Sequence, residues 1–110
     1  MESILTSVKA YIGPSAEYDV FDPVLIMHIN SVFMILQQLG VGPEEGFYIE
    51  DATAYWEDYL DDETKLPVVR TYMGAKVRLL FDPPSNSTLL NALNETIKEC
   101  EFRLNAAVDR

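Results

Sequence analysis

The 110 residues contain one cysteine, one histidine and one tryptophan. With Cys100 alone there is no internal disulfide and no multi-cysteine zinc or iron–sulfur site. With His28 alone there is no three-histidine metal site in one chain, and a serine or cysteine triad would rest on that single ring. Bases are scarce as well: 8 Lys and Arg stand against 18 Asp and Glu, a net charge of −10. Binding nucleic acid through its phosphates needs clustered Lys and Arg, so this balance argues against it. The scarcity is uneven. Between Lys9 and Lys65 there is no base and there are 12 acids, whereas Lys65 to Arg110 holds 7 bases and 5 acids. An acidic first half followed by a mildly basic second half suits head-to-tail association of identical copies.

The start of the chain has Glu2 and no basic leader before an apolar core, so a secretory signal is not expected. Residues 23–43 carry no formal charge, but Pro23, His28, Asn30, Gln37, Gln38 and two glycines interrupt them. Their apolar run is about 16 residues, short of the roughly 20 that span a bilayer. A buried central helix is expected there, not a membrane span. What is present suits one folded domain: 48% of residues are hydrophobic and 24% charged, in a length too short for two cores.

Helical spacing dominates the chain. Ile4, Leu5, Val8 and Ile12 recur as on a short helix capped by Ser3 and stopped by Gly13-Pro14, with residues 14–21 as a connecting loop. Asp22-Pro23 reads as an N-cap and first position of a second helix running to Leu39, with Gly40 after its end. That helix is apolar nearly all round, so either other helices wrap it or part of it faces a second subunit. The Gly/Pro-rich stretch 40–46 is a loop, and a segment such as 40–50 is expected to order only on binding. Phe47-Tyr-Ile49 reads as briefly extended. Asp51 then caps a short helix over about 52–60. Thr64 or Lys65 to Phe81 is a long helix with Pro67 in its first turn, and Asp82-Pro83-Pro84 ends it. Gly74 inside it suggests close approach by another helix. The last helix, about 86–107, has a seam of Leu90, Leu93, Ile97, Cys100, Leu104 and Ala107, and an i,i+4 pair of Glu99 with Arg103. The expected fold is all-α: one domain over 1–110, with four main helices and one short one.

No catalytic constellation assembles from these residues. Glu44 to Glu63 holds nine acids in 20 residues. A hard-cation site on Asp58, Asp61, Asp62 and Glu63 lacks the alternating ligands and central glycine of a calcium loop, so a solvated face or a charged interface is the stronger reading. His28 and Cys100 lie on apolar helix positions, and Glu99 and Glu101 raise the thiol pKa rather than lower it. Asn86-Ser-Thr88 and Asn94-Glu-Thr96 match the glycosylation pattern by coincidence if there is no secretory signal. Tyr55, Trp56 and Tyr59 suit either interface anchors or core packing.

Longer stretches are more specific. Ile26-Met-His-Ile-Asn-Ser31 leads through Leu39-Gly-Val-Gly-Pro43 to Gly46-Phe-Tyr-Ile49. Trp56-Glu-Asp-Tyr-Leu60, Val69-Arg-Thr-Tyr72, Val77-Arg-Leu-Leu-Phe-Asp-Pro-Pro84 and Ile97-Lys-Glu-Cys-Glu-Phe-Arg-Leu-Asn105 follow. In this order and spacing the chain resembles the tailed-bacteriophage head–tail connector family (head completion, or adaptor, proteins) over nearly its whole length. The resemblance implies a structural virion protein with no catalysis and no cofactor. It implies a ring beneath the portal vertex, made first in the host cytoplasm, that joins the portal to the tail or a stopper protein. DNA passes through the lumen without specific binding, and no membrane is involved. Candidate ring-interface or lumen residues are Glu44, Glu45, Asp58, Asp61, Asp62 and Glu63 on the acidic side and Lys65, Arg70, Lys76 and Arg78 on the basic side. The last helix, through Ile97, Glu101, Phe102, Arg103 and Asn105, is the candidate portal-docking element. The competing readings are an acidic DNA mimic, a small helical regulatory dimer, and a small hydrolase built on His28 or the acidic cluster.

Overall fold

The computed structural model describes residues 2–62 and 64–108, with side chains to residue 106. Five helices follow in order: α1 (Ile4–Ile12), α2 (Asp22–Gln38), α3 (Trp56–Tyr59), α4 (Leu66–Phe81) and α5 (Ser87–Val108). The fold is all-α, and no strand forms among the described residues. The molecule measures 37 × 33 × 21 Å. Its thinnest dimension is about two helix diameters, so the helices stand in two layers and none is ringed by the others.

α4 is the central helix. α1, α2 and α5 all pack on it, which is why its buried residues Val69, Tyr72, Met73, Gly74, Ala75 and Val77 lie on several faces. Gly74 accepts the closest approach. A Cβ added there would stand 2.5 Å from Cγ of Tyr11, so the α1 ring rests directly on the α4 backbone.

The expectation that α2 is the buried central helix is corrected. Its inner face (Leu25, Ile29, Val32, Phe33 and Leu36) is core, but Val24, Met27 and Met34 are 42%, 58% and 61% exposed. Two layers provide a neighbour on one side only. By length and composition Asp19–Gln38 would also reach across a membrane; here its inner residues are held in the protein core.

Local chemistry explains most of the helix ends. The Ser3 hydroxyl accepts the Thr6 N–H at 3.3 Å and starts α1. α2 ends in a Schellman turn: Gly40 N–H bonds Gln37 O at 3.0 Å and Val41 N–H bonds Leu36 O at 2.9 Å. Gly40 supplies the positive φ of 87° that this turn needs. Asn86 caps α5, its side-chain oxygen accepting Thr88 N–H at 2.8 Å and Leu89 N–H at 3.2 Å.

Two helix starts differ from expectation. Asp22 lies inside α2 and does not cap it, because a 3₁₀ turn over Asp19–Phe21 runs straight into the helix. Its carboxylate instead accepts the Lys9 ammonium at 2.8 Å. α3 has only four residues. Asp51 spends its carboxylate on an Asx turn with Thr53, and the next residues are drawn extended beside the N-terminus, with Ile4 N–H on Ala54 O at 3.0 Å and Trp56 N–H on Glu2 O at 3.2 Å.

The loop expected to order only on binding is already held. Asn30 of α2 hydrogen-bonds both main-chain groups of Ile49, and the Gln37 side chain donates to Glu44 O at 2.9 Å. Val41 and Ile49 are buried, and Phe47 packs edge-on against Phe33 with ring centroids 5.1 Å apart.

Candidate functional site

The acids from Glu44 onward divide into two groups. Asp51, Asp58 and Asp62 serve the backbone around them. Asp58 accepts the Tyr55 N–H at 2.9 Å at the start of α3. Asp62 accepts the Thr64 hydroxyl at 2.6 Å and the Thr64 N–H at 2.9 Å, preparing the first turn of α4. Hydrogen bonds to the charged form favour it. The Thr64 hydroxyl, then its N–H, therefore hold the Asp62 carboxyl below its ordinary value, and Thr53 does the same for Asp51. Glu44, Glu45, Glu50, Glu57 and Asp61 are exposed side chains on the loop and α3 segment. Glu63 lies outside the described residues.

The bases are less open than their spacing suggested. Lys65, Arg70, Lys76 and Arg78 are all half-buried along α4. Lys65 lies 3.9 Å from Asp62, and Arg70 pairs with Glu2 while its guanidinium sits 5.7 Å from the Trp56 ring centroid. Nε of Arg78 is buried and finds no hydrogen-bond partner among the described residues. A central helix shares its surface with three neighbours, so its long basic side chains are partly covered.

α5 packs on α4 through Leu93, Ile97, Cys100 and Leu104. Glu101 joins this contact by accepting the hydroxyl of the buried Tyr72 at 2.8 Å. Burial, and then the Glu101 carboxylate, push the Tyr72 phenol up. Of the residues expected to meet a partner, Ile97 and Glu101 thus serve the intramolecular seam. Phe102, 73% exposed, and Asn105 point to solvent, while Arg103 pairs with Glu99 at 2.9 Å. Cys100 is buried in the same seam, and its thiol is pushed up by burial and then by Glu99.

Of the three candidate aromatic anchors, Tyr55 is half-buried and the other two go to the core. Trp56 and Tyr59 are buried around Phe33, whose ring centroid is 4.6 Å from that of Tyr59, and the Trp56 Nε1–H donates to the Ser7 hydroxyl at 2.7 Å. His28 is half-buried midway along α2. Among the described residues no three His, Cys, Asp or Glu side chains come together as metal ligands.

The close approach that Gly74 suggested is made by Tyr11 of α1. The Asn30–Ile49 contact was not foreseen, and a polar residue inside the apolar α2 pattern was the available signal for it.

Exposed acids and a solvent-facing apolar helix edge mark the outside of an all-α domain. The sequence model of the phage connector protein family matches residues 4–110, and the chain belongs to that family. It is a structural component of a phage virion that works with other head and tail proteins. No curated protein and no solved structure matches it.

Proposed function

We propose that this chain is the ring-forming adaptor between the portal of a phage head and the tail or stopper protein, with DNA passing through the ring. The observation that carries the reading is the match to the connector family over residues 4–110, in a chain whose described residues form a helical fold. The charge pattern agrees with it. A conduit has to let DNA slide, and acids along a lumen repel phosphate. Glu44, Glu45, Glu57 and Asp61, exposed and clustered in one stretch of chain, are the acids assigned to the lumen or the adjoining subunit. Phe102 and Asn105, on the outer side of α5, are assigned to the portal.

Native mass spectrometry of the purified protein, alone and with the portal of the same phage, tests this. A cyclic high-order species or a stoichiometric portal complex is expected. A monomer or closed dimer indifferent to the portal overturns the reading. The portal contact is tested with Phe102→Ala and Asn105→Ala. Truncation at residue 97 would instead remove Ile97, Cys100 and Leu104 from the core.

A further inference from the structure

Lys9, Lys65, Arg70, Lys98 and Arg103 each lie within ion-pair distance of an acid. Lys76 and Arg78, in the second half of α4, have no such acid among the described residues. In a chain of 18 acids and 8 bases that is the exception. Nε of Arg78 is also the one buried side-chain nitrogen or oxygen without a hydrogen-bond partner among the described residues. Asp82, four positions on, gives its carboxylate to the Ser15 hydroxyl at 2.6 Å. Burial pushes the Tyr11 phenol up and the Arg78 charge draws it part of the way back, so the guanidinium stands near the Tyr11 hydroxyl. Burial of Nε holds the stem in place while the terminal nitrogens stay open, a fork that suits a carboxylate. Lys76 and Arg78 are two positions apart, so about 200° separates them around the helix. They do not form the cluster of bases that a nucleic-acid backbone needs.

Residues 43–46 form a tight turn, closed by Gly46 N–H on Pro43 O at 3.0 Å. Gln37, in the last turn of α2, pins it by donating to Glu44 O at 2.9 Å. The Glu44 and Glu45 side chains are exposed, with no ion-pair partner among the described residues. The main chain that carries them is thus ordered before any partner arrives, which lowers the cost of binding.

The turn and Arg78 stand at opposite ends of the molecule. Phe21 packs on Phe81 with ring centroids 5.4 Å apart. Phe33 lies 6.4 Å from Trp56, whose ring carries the Arg70 guanidinium. α2 therefore begins beside the end of α4 and ends near its start. With 17 residues it is about 25 Å long. The turn beyond its end cannot reach Arg78 of the same copy.

We infer that the Glu44–Glu45 turn of one copy docks on the Arg78 guanidinium of the next copy. This rests on the ring reading and names the two ends that meet. Charge complementarity selects a second copy as the partner. Chains of net charge −10 repel each other over most approaches, and this one sets carboxylates on a fixed turn against a cation that its own chain leaves without an acid. Placement makes the contact heterologous: each copy that joins leaves one turn and one arginine for the next. The pair fixes which faces meet, the part that charges play at an interface.

The test uses two full-length variants, Glu44→Lys/Glu45→Lys and Arg78→Glu, with folding checked by circular dichroism. Native mass spectrometry is recorded for wild type, each variant and their equimolar mixture, alone and with portal. Each variant by itself is expected to stay monomeric, because like charges meet. The mixture is expected to regain species above the dimer, because each variant supplies the charge that the other needs at both contacts. Should Arg78→Glu fail to fold, Arg78→Gln replaces it; that mixture is expected to stop at the dimer, held by the one native contact left. If wild type assembles and either variant assembles equally well, or the mixture stays monomeric, the contact is wrong and the ring reading stands. If Arg78→Glu assembles like wild type but no longer joins the portal, Arg78 meets a portal acid and the inference falls. If wild type itself stays monomeric with and without portal, both readings fall.

Discussion

The side chain of Asn30 holds both main-chain groups of Ile49. Its amide nitrogen donates to the Ile49 carbonyl at 3.0 Å, and its oxygen accepts the Ile49 N–H at 2.8 Å. One α2 side chain thus does what a neighbouring strand would do, at a residue that is buried. Asn30→Ala leaves a donor and an acceptor unpaired, and a loss of about 2–4 kcal/mol is expected in urea unfolding followed by Trp56 fluorescence. A loss below about 0.5 kcal/mol would mean that water replaces the amide and that the loop does not depend on it.

Tyr11 lies on Gly74 so closely that the sign of one substitution depends on it. Gly74→Ala gains about 1 kcal/mol of helix propensity but drives a methyl into the ring, an overpacking cost of about 1–3 kcal/mol. A net loss is expected in the wild-type background. In Tyr11→Ala the ring is gone, and the same change should stabilise by about 1 kcal/mol. A double-mutant cycle by thermal unfolding measures the reversal; equal effects in both backgrounds would contradict the contact.

Asp62 gives the chain an acid-sensitive start to α4. Its carboxyl is held below the ordinary value of 3.8 by the Thr64 hydroxyl first and the Thr64 N–H second. A depressed folded pKa stabilises above the unfolded value and is lost as pH falls through the folded one. Asp62→Ala should therefore be less stable than wild type at neutral pH, and the gap should close as the pH drops from about 4 downward. Urea midpoints along an acid series check this, and a gap that widens in acid would contradict it.

Tyr59 acts at the other end of the pH scale. Burial alone raises its phenol to about 12 from the ordinary 10.0. Between those two values the unfolded chain releases a proton that the folded chain keeps, so stability falls as pH rises from 10 to about 12. Tyr72 adds to the same limb with the same sign. Tyr59→Phe should make the alkaline decline shallower, as read from melting temperatures across that range. A decline as steep as in wild type would show that other groups set it.

Much of this protein was legible before any coordinates. The capped helix start at Ser3, the start of the last helix near residue 86, the stops at Gly13, Gly40 and Asp82, and the α5 seam follow from capping chemistry and spacing within a few residues. The same holds for the all-α class and for family membership, which rest on patterns spread along the chain. What failed was local competition. Asp51 and Asp22 both carry a cap-forming side chain, yet one closes a turn on Thr53 and the other pairs with Lys9 from α1. A carboxylate has several possible donors within reach, and sequence does not rank them.

Tertiary structure decided which helix is central. α2 has the more apolar sequence, and composition alone places it at the centre; α4, with two lysines or arginines in its second half and a mid-helix glycine, occupies that place instead. Periodicity states how much of a helix is able to be buried, not how many neighbours come to bury it. Three helices pack on α4 while α2 keeps an open edge. The division of the acids into capping and free groups was settled in the same way, by which N–H groups the folded backbone brought to each carboxylate.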